Sequence, residues 1–254
     1  MRSRYLDIDD RTQDLAERFR AEPAIAQEFN RKYELSWVHH ENALEGVIFS
    51  GQEIEHALEN QPLVEASSMA ALRDIRNFKA AVDLVRAEAA TKKPRITHEF
   101  VRTLYVTLHA GIEARAAAEL RKDIPLHRAY FHEITAPAKI PTQLAALMEW
   151  CESADFRAAH PVHRASRLQH ALMQIYPYTE GSGKIARLLS NVVLLHHGYQ
   201  PCIIHAIDRQ RYYESLRLPE PQLRELILDA MENGLANGEK FLQLAAAARS
   251  KMAR

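Results

Sequence analysis

Only eight glycines and eleven prolines punctuate these 254 residues, and between them apolar residues return every three to four positions. That is the period of an α-helix, and the scarcity of helix breakers lets it run through most of the chain. The pattern predicts helices over residues 11–31, 33–46, 65–90, 97–121, 142–153, 161–175, 184–197, 208–217 and 221–247. Ser50 followed by Glu53 has the spacing of a capping box and predicts one more short helix, ending near Glu59. One stretch departs from this period. Residues 122–141 hold Pro125, Pro137 and Pro141, and from Ala129 to Thr135 polar and apolar residues alternate, which predicts one arm of a short β-hairpin. There is no internal repeat and no low-complexity linker, so an all-α chain with one small hairpin is expected.

Charge and cysteine content narrow the function classes. Lys plus Arg and Asp plus Glu number 33 each, so no long-range attraction to nucleic acid or an anionic membrane is expected. Cys151 and Cys202 are too few for a disulfide framework and suit a reducing compartment. Residues 1–20 are charged throughout, unlike a signal peptide, and no apolar run reaches the roughly 20 residues that span a bilayer. A soluble, cytoplasmic protein is the expectation.

The stretch from Ile175 to Asn191 carries the chemistry. Gly181 and Gly183 lie in a short turn between two helical patterns, and Lys184, Arg187 and Asn191 follow at i, i+3 and i+7. Glycines allow successive backbone N–H groups to converge, and a helix N-terminus adds partial positive charge. With two cations in the first turn, this is a phosphate cradle in outline. It is equally the outline of an ordinary turn with solvated cations, and it lacks the spacing of a Walker A loop.

Tyr176 to Arg187 resembles the Fic motif, His-x-Phe-x-Asp/Glu-Gly-Asn-Gly-Arg-x-x-Arg. Pro177, Glu180, Gly181, Gly183 and Arg187 stand as in the family, and Tyr178 replaces its phenylalanine conservatively. The likeness continues upstream through His160, Pro161 and residues 165–175, and downstream through Gly198 to Pro201 and Tyr212 with Tyr213. It covers about residues 33–217. The resemblance implies an all-α Fido fold with a β-hairpin flap, divided as an N-terminal helical region (1–60), a Fic core (61–217) and a C-terminal helical extension (218–254). Active members transfer AMP, or another phosphate-bearing group, from a nucleotide to a protein hydroxyl. Carried over, Glu180 would hold Mg²⁺, and Gly181, Ser182, Gly183 and Lys184 would form the anion cradle. Arg187 would grip a terminal phosphate, and Tyr130, Phe131, His132, Glu133 and Ile134 would be flap. The implied ligands are Mg²⁺ and a nucleotide, ATP first, with a protein as acceptor; oligomeric state stays open.

The sequence departs from the motif at its chemical centre. Tyr176 occupies the position of the catalytic histidine, and a phenol with a pKa of about 10 is a poor general base at neutral pH. Ser182 replaces asparagine, and Lys184 replaces arginine, exchanging a bidentate fork for a point charge. Three readings follow: a pseudoenzyme that still binds a nucleotide, an active transferase using Tyr176 or a neighbouring histidine with a changed mechanism or donor, or a protein-interaction module without nucleotide.

Glu41 and Glu45 lie four residues apart before Gly46, hence on one helical face, where like charges repel by roughly 0.2–0.5 kcal/mol. A solvated acidic face is one reading. Glu45 with Gly46 also resembles the end of the inhibitory helix of many Fic proteins, which implies a pair between Glu45 and Arg187; Glu41 stands where that helix has serine or threonine. The remaining candidates are weaker. His39, His40, His160, His163, His170, His196, His197 and His205 lack a spacing that completes a metal site. Trp37, Tyr105, Trp150, Tyr212 and Tyr213 read as packing aromatics, His109 and Glu113 as a surface pair, and Arg121, Lys122 and Arg128 as exposed cations beside the flap.

Overall fold

The computed structural model of the chain describes residues 3–59, 68–115, 117–125 and 132–252. Eleven α-helices are found there: α1 (Arg4–Ala21), α2 (Pro23–Leu44), α3 (Gly51–Leu58), α4 (Ser68–Ala89), α5 (His98–Leu108), α6 (Ile140–Glu152), α7 (Ala154–Ala158), α8 (Pro161–Ile175), α9 (Ser182–His196), α10 (Arg209–Ser215) and α11 (Glu220–Met252). No strand occurs among the described residues.

The helix starts follow capping chemistry. Ser50 opens α3 with the full reciprocal box, its hydroxyl accepting from the Glu53 N–H while the Glu53 carboxylate accepts from the Ser50 N–H. Thr97 and Ser153 cap α5 and α7 in the same sense. Proline fixes another boundary. Pro23 lacks an N–H and sits at the first position of α2, so the pattern over 11–31 divides into two helices and its second half joins 33–46. Downstream, α5 ends at Leu108 rather than near Arg121, because Gly111 adopts a left-handed φ of 79° and a 3-10 turn at Glu113–Arg115 follows.

The hairpin expectation needs correction where it can be checked. Tyr130, Phe131 and Arg128 lie outside the described residues. His132, Glu133 and Ile134 form irregular chain, not strand. Their segment hydrogen-bonds to the end of α8 instead: His132 Nε2 donates to the Met173 carbonyl at 2.9 Å and the Thr135 N–H to Gln174 O at 2.8 Å. Orphan carbonyls at a helix C-terminus need donors, and here the passing chain supplies them.

At the centre, α8 and α9 pack as an antiparallel pair, with α4 and α5 against α9 and with α6 and α11 against α8. Ile185, Leu188, Leu189 and Val192 of α9 are fully buried, and so are Arg187 and Asn191 on the neighbouring stripe. A helix buried on nearly every face belongs to the core, so any polar group on it needs a partner. Trp37, Tyr105, Tyr212 and Tyr213 are core residues as expected, and Trp150 packs against the core edge.

Candidate functional site

The turn between α8 and α9 is built by two left-handed residues and one hydroxyl. Tyr176 ends α8 with φ 47° and ψ 65°, and its side chain is 1% exposed. Gly181 precedes α9 with φ 77°. Between them the Ser182 hydroxyl accepts from the Tyr178 N–H at 2.9 Å and donates to the Tyr178 carbonyl at 2.8 Å. Ser182 therefore closes the turn on itself, and its side chain faces inward. The Tyr178 ring stacks on Tyr105 of α5 with centroids 4.0 Å apart.

A left-handed Tyr176 is costly for a residue with a Cβ and needs outside support. Arg121 supplies it. Arg121 is 4% exposed and pairs with no carboxylate among the described residues. Nε donates to the Tyr176 carbonyl at 2.7 Å, Nη2 to the carbonyls of Ile175 (3.3 Å) and Thr135, and Nη1 to Asp123 O at 2.7 Å. The Arg121 N–H donates to Pro177 O at 3.0 Å. Burial holds its pKa below the ordinary arginine value. Sequence reading placed Arg121 among exposed cations; it is the clamp on the motif's first residues.

The cationic stripe of α9 points at α2. Arg187 is 2% exposed and sits between two carboxylates: Nε donates to Glu41 Oε2 and Nη2 to Glu45 Oε1, both at 2.7 Å. Nη1 donates to the Tyr212 hydroxyl at 3.3 Å. Burial opposes the Arg187 charge, but Glu41, Tyr212 and Glu45 outweigh it and hold the pKa well above the usual range. Glu41 is 1% exposed; burial pushes its carboxyl up, Arg187 pulls it back, and Oε1 is buried without a hydrogen-bond partner among the described residues. Lys184, half-buried, donates to Asn42 Oδ1 at 2.7 Å, and burial lowers its pKa.

Three side chains of α2 thus hold both cations of α9. The end of α2 is fixed in turn, because the Leu44 carbonyl accepts from Arg209 Nε at 2.9 Å and from the Tyr213 hydroxyl at 3.2 Å. Glu45 does more than pair with Arg187. A Cβ on Gly183 would overlap Glu45 Oε1, so the carboxylate lies directly on the first turn of α9. Unpaired N–H groups and the positive end of the helix favour an anion there. Sequence reading missed Asn42, whose one signal is its place between Glu41 and Glu45.

At the outer rim, Glu180 is 58% exposed and pairs with Arg115 Nη2 at 2.9 Å. His109, expected as half of a surface pair with Glu113, instead sits tilted against Tyr105, ring centroids 4.3 Å apart, and lies against the turn, 2.8 Å from where a Cβ of Gly181 would be. Its Nδ1 donates to the Tyr105 carbonyl at 2.9 Å, and burial lowers its pKa. His132 is turned away, bonded to α8.

The residues fit a nucleotide and Mg²⁺ on one condition. A carboxylate already seated on the start of α9 shows the chemistry of the cradle, and a phosphate needs that position vacated. Mg²⁺ usually takes one or two carboxylates and completes its shell with phosphate oxygens and water. Glu180 meets that need as a single exposed carboxylate. Among the described residues no group of three His, Cys, Asp or Glu side chains is placed to hold a metal by itself, and no helix is long and apolar enough to cross a membrane.

Residues 95–194 match the model of the Fic/DOC family. The protein adenylyltransferase Fic of Nematostella vectensis is 27% identical over 179 residues, 70% of this chain and 42% of that protein. This chain spans less than half the length of the first curated relatives it matches. In structure it is similar to Fic-1 from C. elegans, with a TM-score of 0.78 at 19% identity over 96% of this chain and 73% of that one. It is also similar to an IbpAFic2 variant in complex with adenylylated Cdc42, with a TM-score of 0.52 at 18% identity over 72% and 62%.

Proposed function

This is a Fic/Fido family protein with its Fic/DOC match at residues 95–194, and from that premise we propose that it binds a nucleotide at the start of α9, with protein AMPylation lost or altered at Tyr176. The observation that carries this reading is the Glu45 carboxylate against Gly183 with Arg187 gripped by Glu41 and Glu45. A site whose ordered state already holds one anion against helix N–H groups and an arginine is built to take anions. The same contact keeps it closed to others.

In this reading Gly181, Gly183 and Lys184 offer backbone N–H groups to phosphate oxygens, and Arg187 takes the outermost phosphate once Glu45 withdraws. Glu180, now paired with Arg115, would be the residue to hold Mg²⁺. When bound, the metal and nucleotide would supply charge neutralisation and the transferable phosphoryl group. Ser182 is spent on the turn and contributes no side chain to the cradle. Tyr176 presents a phenol where a histidine would act, so the chain has no ordinary general base at that position. That is why binding is placed ahead of transfer. The acceptor in an active version would be a protein hydroxyl, by similarity to the Fic domain crystallised with adenylylated Cdc42.

One observation favours a second reading, an active transferase with a changed mechanism or donor. His109 lies against Gly181 with its pKa below the ordinary histidine value, and a neutral imidazole at neutral pH is suited to accept a proton. Thermal shifts with ATP, GTP, CTP and UTP plus Mg²⁺, on wild type, Glu45→Gly and Arg187→Ala, test the first reading; intact-mass analysis of the same mixtures tests the second. Saturable stabilisation of Glu45→Gly by a nucleotide, absent in Arg187→Ala, is expected. A mass increase that vanishes in His109→Ala would establish transfer. No shift in any protein would leave the interaction-module reading.

A further inference from the structure

The Fic motif occupies one end of α9, and a second feature lies at the other. A cavity of about 490 Å³ opens beside the last turns of α9, between the loop joining α4 to α5 and the α6–α7 corner. Its nearest lining residue on α9, Val192, lies three helical turns beyond Gly181, a distance of roughly 16 Å at the α-helical rise. Its floor is apolar, made by Ile96, Phe156, Val192 and Val193. Its rim is basic: Lys92, Lys93, Arg95, Arg157 and Arg164 face a single carboxylate, Glu152.

That carboxylate is already committed, since Arg95 Nη2 holds Glu152 Oε1 at 2.7 Å. Among the described residues Arg157 donates to the Glu152 backbone carbonyl and makes no ion pair. Lys92 and Lys93 make no ion pair among the described residues. Arg164 is the most telling. It lies over the Phe156 ring, 5.4 Å from the centroid, and its Nη2 donates to His197 Nε2 at 2.7 Å. The His197 Nδ1–H donates to the Val193 carbonyl at 2.9 Å, so the Arg164 neighbour is a neutral imidazole and not an anion. Arg164 Nε is buried without a hydrogen-bond partner among the described residues. A guanidinium with a buried N–H normally has a carboxylate or phosphate for company. The C-terminus of α9 lends about half a negative charge, which is small against four cations with no carboxylate of their own.

We propose that this cavity binds a small organic phosphate with an apolar or aromatic body. The apolar floor selects the body, and the volume falls inside the roughly 300–1,000 Å³ of small-molecule pockets. Arg164, Arg157, Lys92 and Lys93 select the head group, a dianion being favoured over a monoanion where several cations converge. The site is separate from the cradle at Gly181 and does not depend on what binds there.

Phenyl phosphate is a suitable probe, titrated calorimetrically into the full chain at low, fixed salt, with inorganic phosphate and benzyl alcohol as controls. Saturable binding of phenyl phosphate at least tenfold tighter than either control is expected. Affinity should fall about tenfold in Arg164→Gln and at least threefold in the surface double variant Lys92→Gln/Lys93→Gln, which leaves the core untouched. It should be unchanged in Lys122→Met, an exposed substitution outside the lining of the cavity. Absence of saturable binding would overturn the proposal. So would equal affinity for inorganic and phenyl phosphate, or an affinity the lysine variant leaves unaltered.

Discussion

Single residues on this scaffold do work that their type alone does not announce. Arg121 is one of 33 basic residues, yet it satisfies four backbone carbonyls around the start of the motif. Replacing it with Met would leave those carbonyls short of donors, at a cost of about 1–3 kcal/mol for the more buried ones. Arg121→Met is therefore expected to lower the urea midpoint markedly, whereas Lys122→Met, at an exposed position, should leave it nearly unchanged. His40 supplies the pH dependence. Its ring stacks on His205 with centroids 4.3 Å apart, next to His39, and its Nδ1 accepts the Ala206 N–H at 3.2 Å, which requires the unprotonated nitrogen. Burial, with His205 and then His39 adding to it, pushes its pKa down to about 4. A depressed histidine contributes stability that is complete above its unfolded value near 6.5 and is lost as pH falls through the folded one. Wild type should lose stability between about pH 6.5 and 4, and His40→Gln should lose less, by about 1 kcal/mol once screening of a partly exposed ring is allowed for. Equal losses in the two proteins would contradict this.

At the scale of elements, the contact that matters is α2 on α9. It is legible in part from sequence. The Glu45–Gly46 ending of the inhibitory-helix resemblance implied a pair of Glu45 with Arg187, and that pair is present at 2.7 Å. Glu41 was the weak point of that likeness, yet it makes an equally short contact from a more buried position. Nothing in a one-dimensional pattern ranks two glutamates on one face by depth, because depth depends on how α2 is rolled against its neighbours. Removing one member of a buried pair strands the other's charge. Here Glu45 still pairs with Arg187, so Glu41→Leu leaves a buried Nε–H without its acceptor rather than a bare charge and is expected to cost about 1–3 kcal/mol, read as a lower urea midpoint. The glycines of α11 show the same limit. Gly234 and Gly238 read as poor helix residues, but a Cβ at Gly234 would stand 2.6 Å from the Tyr33 hydroxyl and one at Gly238 2.7 Å from Leu15 Cδ2. They let α1 and α2 approach. Gly234→Ala should destabilise by about 1–2 kcal/mol despite its gain of about 1 kcal/mol in helix propensity, because the tyrosine, bonded to the Pro201 carbonyl, must move. A rise in unfolding temperature would contradict that packing.

Across the whole molecule, the helical class followed from periodicity, and most helix bodies lie where their apolar residues recur. The missed boundaries have local causes: Pro23 starts a helix inside a continuous pattern, and Gly111 stops one early. The alternation from Ala129 to Thr135 was read as a strand, but its described part bonds to the end of α8, a tertiary choice that a period-two pattern cannot reveal. Long-range ion pairs were also out of reach, as where Arg4 and Arg11 of α1 meet Glu232 and Glu239 of α11. The motif turn, by contrast, was legible because glycine spacing and cation spacing both survive in one short segment. Sequence resemblance implied the pair of Glu45 with Arg187, but not that the same carboxylate lies directly against Gly183. The most direct test is calorimetric titration of Mg·ATP into wild type and Glu45→Gly at the same salt and pH. Glu45→Gly should bind at least tenfold more tightly than wild type, with the gain abolished by adding Arg187→Ala. Equal affinities in wild type and Glu45→Gly, or no binding in either, would contradict a nucleotide cradle closed by α2.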